Sequence, residues 1–518
     1  MLLQSVSFES TGYFSKIFTD YVNQKPELQP FYGKYPTIEN LGKQAEERTK
    51  INIDRVALVN ALHKQYDGIK INESVRESID RLLQANSFTV TTGHQLCLFT
   101  GPVYFIYKIV TTINLAKKLN EQFPDKKFVP VYWMASEDHD FEEVNHFHLF
   151  GRTHTWESTQ TGAVGDFDTK GINKIFEELK DKLPAFEEAY LTGKKLAQAT
   201  RCLVNELFSK YGLVIIDGND RSLKSLFSDF IKKELSGTAN FDAVTETNKD
   251  LDSLGYIVQV HPREINLFYL DKGKRERIVK ENGDYKVLNT ELSFTENEIL
   301  GLVNTNPEFF SPNVVLRPVY QEVILPNIAY VGGPGELAYW LQLKSMFENL
   351  KISFPVLVPR NFALVVNGGQ NAKIQKLGIE VKDLFLDEHS LKKRFLEIKN
   401  TTHWNENVYK YGIEATFNEM KAEVEKLDKS LSGFVDAQKA EVFKILEGIN
   451  KKIRKTAEHK EEEQIGQLLN LKSKLFPSHG LQERYENVLN FMLPNPDFIE
   501  NLTETFEPLK FEFNIITV

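Results

Sequence analysis

The period of the apolar positions changes several times along the chain, and each change predicts an element. Within residues 1–87, NIDRVALVNALHKQYD and SVRESIDRLLQAN have helical spacing, and the rest of that region reads as helix and loop. FTVTT (88–92) reads as a strand, FIYKIVTTINLAKKLNEQF returns to helical spacing, and KFVPVYWMA is a second buried strand. Strand, loop, helix and strand within about 50 residues is the sequence form of a βαβ unit, which implies parallel pairing. LVIIDGND (213–220) adds a further buried strand. GYIVQV, INLFYLD and RIVKENGDYKVL alternate as antiparallel strands do, with Asn-Gly-Asp marking a hairpin. NVVLRPVYQEVILPNIAYVGG reads as strand again, GPGELAYWLQLKSMFENL as helix, and ISFPVLVPRNFALVV as the last strands of the sheet.

Between Leu377 and about Leu475 the chain is nearly free of proline and rich in Glu and Lys. Phe417, Met420, Val424, Leu427, Leu431 and Phe434 follow a 3, 4, 3, 4, 3 spacing, the seam of a coiled coil. Val442, Ile445, Ile449 and Ile453 continue it with a slip of register. Such a seam needs a partner helix, either from residues 379–398 or from a second subunit. A helical bundle packed on its own core is the other reading. The expected organisation is therefore residues 1–150, N-terminal helices and the first half of an α/β core. An insertion follows at 151–205, with FGRTHTWES as strand and GINKIFEELKDKLPAFEEAYLTG as helix. The second half of the core spans 206–376 and carries a small antiparallel insertion at about 255–300. Helices fill 377–500, and 501–518 returns as a strand.

A chain of 518 residues exceeds what one core supports, which agrees with two to four domains or subdomains. The net charge of −9 argues against sequence-independent nucleic-acid binding, which needs a basic surface. Two cysteines, Cys97 and Cys202, make no disulfide framework and point to a reducing compartment. The opening MLLQSVSFESTGYFSKIF lacks the pattern of a secretory signal, and no run approaches the roughly 18 apolar residues of a membrane span. A cytoplasmic protein without a membrane partner is expected.

Two loops and one polar stretch carry the candidate chemistry. In TTGHQLCLFTGPVYFIYK (91–108) a strand ends at Gly93, and Gly101-Pro102 precede a helix whose free amides would favour an anion. Lys108 lies within two turns, and His94 sits at the carboxyl end of the strand, where open α/β sheets bind ligands. In YVGGPGELAYW (330–340), Gly332, Gly333, Pro334 and Gly335 turn a strand into a helix with Glu336 in its first turn. No GxxxxGK[ST] occurs, and either loop by itself is equally a tight turn. The stretch WMASEDHDFEEVNHFHLF (Trp133–Phe150) admits three readings. His146 and His148, two apart on a strand, share a face and with Asp138, His139 and Asp140 would suit a metal. More economically, Glu137 to Asp140 cap the strand at a cleft mouth and bind a polar substrate or its ammonium group, with Asp140 and Glu143 capping the next turn. The third reading is a solvated loop. No metal ligand is assigned.

Read together, TGHQLCLFTGP, PVYWMASEDHDFEEVNH, LRPVYQEVILPNIAYVGGPGELAYW and PVLVPRN resemble one family, the BshC cysteine-adding enzymes of bacillithiol biosynthesis. The resemblance covers about residues 88 to 365, and the C-terminal coiled coil fits it. The family's usual first motif has Gly-Gln where this chain has Gly93-His94-Gln95. The resemblance implies an α/β fold: a Rossmann-like parallel-sheet core related to nucleotidylyltransferases, inserted connecting segments, and a C-terminal α-helical coiled coil joining a homodimer. It implies a ligase that joins cysteine to the amine of glucosaminyl-malate as an amide. Amide formation from a free carboxylate is uphill in water, so ATP, with magnesium accompanying it, is expected. Acyl phosphate and acyl adenylate both remain open; Thr92 to Gln95 only faintly resembles the HIGH motif of adenylate-forming synthetases, and no KMSKS is present. The candidate catalytic set, from its place after an apolar strand in the core, is His139, Asp138 and Asp140. Gly93, His94, Gln95, Gly101, Pro102, Lys108, Glu137, Asn145, Arg317, Gly332, Gly333, Pro334, Gly335, Glu336 and Arg360 would surround substrate or nucleotide. The rivals are a ligase or transferase of this fold acting on another amine, and a non-catalytic coiled-coil scaffold.

Overall fold

The computed structural model describes residues 2–179, 183–399 and 404–518. Its core is a parallel sheet of β1 (Ser87–His94), β2 (Lys127–Met134), β3 (Val214–Asp217), β4 (Asn327–Gly332) and β5 (Val356–Pro359), in the order β5-β4-β1-β2-β3. All four pairings are parallel, so the fold is Rossmann-like. Helix α1 (Tyr104–Gln122) crosses from β1 to β2 and is buried without interruption from Phe105 to Ala116. That depth explains why its apolar run wraps round the helix instead of forming a stripe.

Three expected strands are not strands of this sheet. Arg317–Ile324 is a helix, α2, within the segment read as strand. Pro318 presets its first turn. Its polar Gln321 and Glu322 are buried because Glu322 Oε1 accepts hydrogen bonds from Gln321 and from Asn327 (2.9 and 2.7 Å). GYIVQV forms no strand either. The N–H groups of Gln259 and Val260 donate to the side-chain carbonyl of Gln342, whose Nε2 donates to Val260 O. A side chain has taken the place of a ladder. Phe362–Val366 leaves the main sheet after Arg360-Asn361 and pairs in parallel with the tail strand Phe513–Thr517, which also pairs antiparallel with Leu2–Val6. The first of these strands lies in a region expected to be helix and loop.

The antiparallel insertion forms, as five strands from Leu267–Asp271 to Phe310–Pro312. Asn282 and Gly283, both at positive φ, make its hairpin turn. In the first insertion, His146–Leu149 and Arg152–Thr155 form a hairpin, and Asn173–Glu178 and Pro184–Thr192 are separate helices. The middle of the predicted helix, residues 180–182, lies outside the described residues.

Helix α3 (Pro334–Leu341) follows β4; α4 (Glu406–Leu427), α5 (Ser432–Lys460) and α6 (Glu462–Leu475) make up the long helical region. Phe417 to Phe434 is not one seam. Helix α4 stops at Leu427, Asp428 is extended and accepts the Ser430 N–H, and α5 folds back along α4. The turn chemistry of Asp428-Lys-Ser430-Leu-Ser432-Gly433 overrides a heptad period that continues across it. The partner of α4 is thus α5, whereas Glu388–Lys399 packs on α5 and α6. Among the described residues no helix is long and apolar enough to cross a membrane, and both cysteines are free.

Candidate active site

The chain leaves β1 toward β2 and leaves β4 toward β5, so strand order reverses between β1 and β4. A parallel sheet opens its ligand crevice at that point, outside the carboxyl ends. Register pairs Tyr330 with Thr91, which sets Gly93 beside Gly332 and brings the two glycine loops together.

The first group there is a buried ion pair. Lys108, 2% exposed, reaches from α1 to Glu336 of α3 at 2.8 Å and also donates to Gly93 O. Glu336 accepts further hydrogen bonds from Tyr330 Oη (2.6 Å) and from the Gly333 N–H (2.9 Å). Burial by itself would raise the Glu336 carboxyl, yet the Lys108 charge and these donors hold it below its usual range. Burial lowers Lys108. Lys108 is therefore a structural clamp between the two loops, not the free cation the spacing suggested.

Two arginines flank the clamp. Arg317, at the start of α2, donates to Tyr339 Oη (2.8 Å) and lies over the Tyr330 ring. Arg360, just after β5 and 2% exposed, pairs with Glu483 at 2.5 Å and stacks at 4.0 Å on Phe362. Arg360 Nε has no hydrogen-bond partner among the described residues. A Cβ on Gly333 would stand 3.5 Å from it, and one on Gly93 would stand 3.5 Å from Arg317 Nη1. Gly332 is tighter, its Cβ meeting Tyr330, Glu336 and Leu337 at 3.1–3.2 Å. Gly335 faces only Gln259, at 3.8 Å. Arg360 Nε thus lies buried and unpartnered beside glycine backbone among the described residues.

The first loop does something else. Gly101 (φ 61°) admits no side chain, since a Cβ would lie 2.5 Å from Cys97 Cβ. Gly101 O accepts from Asn487, Pro102 bridges to Asn487, and the Val103 N–H donates to Glu486 O. The N–H groups expected to hold an anion are in part already used, that of Val103 by the C-terminal segment and that of Gly101 by Leu98 O. His94 is half-buried, stacked on Phe105 and edge-on to Tyr104. Burial, and then the Lys108 charge, push its imidazole down to about 3. It is neutral at ordinary pH and cannot serve there as a proton donor of the imidazolium type.

The polar stretch after β2 forms the second half of the site. Gln95 Nε2 ties it to the first, donating to Asp138 Oδ2 and Glu143 Oε2, both at 2.8 Å. Asp138 also accepts its neighbour's amide, that of His139 (2.8 Å), and lies 3.6 Å from Arg275. Burial opposes its charge, but these partners hold the carboxyl well below the usual carboxylate range. Arg275 comes from the antiparallel insertion, stacks on Phe268, and donates to His139 Nδ1 at 2.9 Å. Glu137 is consumed in an ion pair with buried Lys224 at 2.5 Å, so it does not line the cleft as a free carboxylate. Asp140 precedes the short helix Phe141–Val144 without capping it, and Glu143 faces Gln95; the expected capping pair does not form. Asn145 contacts His146 Nδ1 (3.1 Å). His148 lies flat on Tyr485 at 3.8 Å, so the two histidines are placed by stacking and hydrogen bonds. Among the described residues no three His, Cys, Asp or Glu side chains converge as a cation cage.

Arg275, Tyr104, Tyr330, Lys224 and Glu483 contact these candidate residues without being singled out by any motif in the sequence. Arg275 lies 136 residues from its partner His139, and no local pattern marks it. Arg484 also approaches, its guanidinium over Tyr104.

Two family models match the chain. Bacillithiol biosynthesis BshC, N-terminal Rossmann-like domain, matches residues 1–361, and Bacillithiol biosynthesis BshC, C-terminal coiled-coil domain, matches 363–518. A protein of Flavobacterium psychrophilum is 44% identical over 99% of this chain and 98% of its own. One of Cytophaga hutchinsonii is 42% identical, covering 99% and 98%. One of Bacillus licheniformis is 29% identical, covering 96% and 97%. Each is named as a candidate cysteine ligase BshC.

Proposed function

The chain belongs to the BshC family of bacillithiol biosynthesis over its whole length, and from that premise we propose that this ligase joins the carboxyl of L-cysteine to the amine of glucosaminyl-malate. The observation that carries the reading is the polarity of one crevice. At the β1–β4 end stand Arg317, Arg360 with its orphaned Nε, and the start of α3, which suit carboxylates or phosphate. At the β2 end stand Asp138 and Glu143, bridged by Gln95, which suit an amine. A malyl amine and an activated carboxylate are substrates of that description.

ATP would supply an electrophilic phosphorus that turns the cysteine carboxylate into an acylating group. The donor set fits an anionic group of that kind, with Arg360, Arg317 and the glycine backbone of Gly332-Gly333 as its holders and magnesium accompanying it. Asp138, kept ionised by Gln95 and Arg275, is a poor proton acceptor, and its role is to orient and charge-match the attacking amine. His139 and Asp140 stand beside it at the mouth. The two free cysteines agree with a reducing, cytoplasmic setting. A ligase of this fold acting on another amine is the second reading. Thiol profiling by mass spectrometry in a strain lacking the protein separates the two. Accumulated glucosaminyl-malate with loss of the cysteinyl product is expected, and an unchanged thiol pool would refute the assignment.

The helical hairpin supports assembly as a homodimer. Phe434, Ile445 and Ile449 share a face of α5 and are 64%, 64% and 45% exposed, with Leu427 at the tip 85% exposed. Exposed apolar side chains recurring on one outward face of the hairpin support an interface there. Light scattering is expected to show a dimer that becomes a monomer in Phe434→Asp/Ile445→Asp, with the thermal transition of the core retained because both positions face outward. A wild-type monomer at micromolar concentration would defeat this assignment.

A further inference from the structure

Behind His94, between the carboxyl ends of β1 and β2 and the helix Leu196–Phe208, lies a cavity of about 10 Å³. That is space for the centre of roughly one water-sized group. No Asp, Glu, Lys or Arg among the described residues lines it. Its titratable neighbours are uncharged, since burial pushes the His94 imidazole down to about 3 and the Cys97 thiol up to about 12, and raises the Tyr132 and Tyr190 hydroxyls. Its hydroxyls are the informative feature. Thr100 and Thr200 are 4% and 5% exposed, both line the cavity, and neither Oγ1 has a hydrogen-bond partner among the described residues. Buried hydroxyls are ordinarily partnered, because leaving one unmade forfeits its hydration without return. Thr100 is held there by three successive residues at positive φ, Phe99, Thr100 and Gly101 (50°, 72° and 61°). Only the surrounding packing keeps non-glycine residues in that region, and Phe99 supplies it by stacking on Phe147 and Tyr190.

An amino-acid substrate presents an ammonium, a carboxylate and a side chain. The charged groups have counterparts in the crevice, which adjoins the cavity at Gln95, a lining residue that donates to Asp138 and Glu143. The cavity can hold neither, because an unpaired charge in a neutral, desolvated wall is strongly unfavourable. We propose that this cavity receives the CH₂SH side chain of the cysteine substrate, its sulfur between the hydroxyls of Thr100 and Thr200. A thiol is a neutral group of one heavy atom, a weak donor and a weak acceptor, and meets both hydroxyls. A methyl group in the same place would leave them unpartnered, and a longer side chain would strike Leu203 and Val204. This inference rests on the reading of the chain as a cysteine ligase.

The test uses the full-length protein with ATP, glucosaminyl-malate and L-cysteine, product being measured by mass spectrometry. Val204→Leu adds one methylene to the cavity. Its KM for cysteine is expected to rise about tenfold or more, with KM for the other two substrates unchanged and Tm unchanged or raised. Thr200→Val keeps the shape and removes one hydroxyl, and should narrow the preference for cysteine over L-2-aminobutyrate in competition. A folded Val204→Leu protein with an unaltered KM for cysteine overturns the pocket. Should that variant fail to fold, an unaltered preference in Thr200→Val overturns it equally. Wild-type protein that makes no product from cysteine removes the ligase reading itself, whereas product with both variants unaffected removes only the pocket.

Discussion

Asp138→Asn is expected to lower kcat/KM for glucosaminyl-malate on the order of 100-fold while leaving Tm nearly unchanged, the scale seen when one member of a hydrogen-bonded charge pair is truncated. Asparagine preserves the shape and one acceptor for Gln95 Nε2 but removes the negative charge that Gln95, the His139 amide and Arg275 hold ionised. Stability should survive because the Asp138 side chain is 30% exposed and Arg275 keeps Ser311 Oγ, Pro312 O and His139 as partners. His139→Ala is expected to lose activity as well, since the imidazole stands at the cleft mouth between Arg275 and Phe268. Steady-state assays varying each substrate separately, with circular-dichroism melts of the same samples, give the answer. Wild-type rates in both variants would remove this cluster from the site.

Glu483→Gln is expected to cost about 3 kcal/mol of stability, at the lower end of what breaking a buried pair costs. Glu483 and Arg360 are 0% and 1% exposed and meet at 2.5 Å, and Glu483 Oε2 also accepts the Ala363 N–H. The amide keeps the acceptor for Ala363 but leaves the Arg360 guanidinium uncompensated in a dry setting. Among the described residues the Arg360 guanidinium has only the Asn361 carbonyl and the rings of Phe362 and Tyr104 besides. The double variant Arg360→Met/Glu483→Leu should recover part of the loss, because it removes both desolvation costs together. Urea unfolding of the three proteins measures it, and a loss under about 1 kcal/mol for Glu483→Gln would mean the pair is solvated. Since Glu483 lies in the C-terminal segment and Arg360 at the crevice, the same change should weaken nucleotide binding.

Both expectations concern contacts that close over long stretches of chain, which no local pattern of residues encodes. FTVTT, KFVPVYWMA and the helix between them were legible as a βαβ unit because alternation and helical spacing belong to the residues themselves. The glycine loops were legible for the same reason, and so was the concentration of carboxylates after β2. The seam at Phe417 to Phe434 misled because its period continues through a turn whose signal, Asp428 to Gly433, is only a few residues long. LRPVYQEVI has the apolar pattern of a strand although Pro318 is a helix-start residue, because the buried pair Gln321 and Glu322 hides the amphipathic stripe.

By itself the sequence determined the class of fold, the family, and the two loops and one acidic stretch that frame the candidate site. Only the tertiary structure decided which of those residues remain free to act. Strand order sets Gly93 beside Gly332; the pairings of Lys108 with Glu336 and Glu137 with Lys224 withdraw two expected ligands; Arg275 enters from a distant hairpin. Periodicity is a local property of consecutive side chains, whereas the burial of a charge and the identity of its partner depend on chain segments that meet only after the whole core has packed.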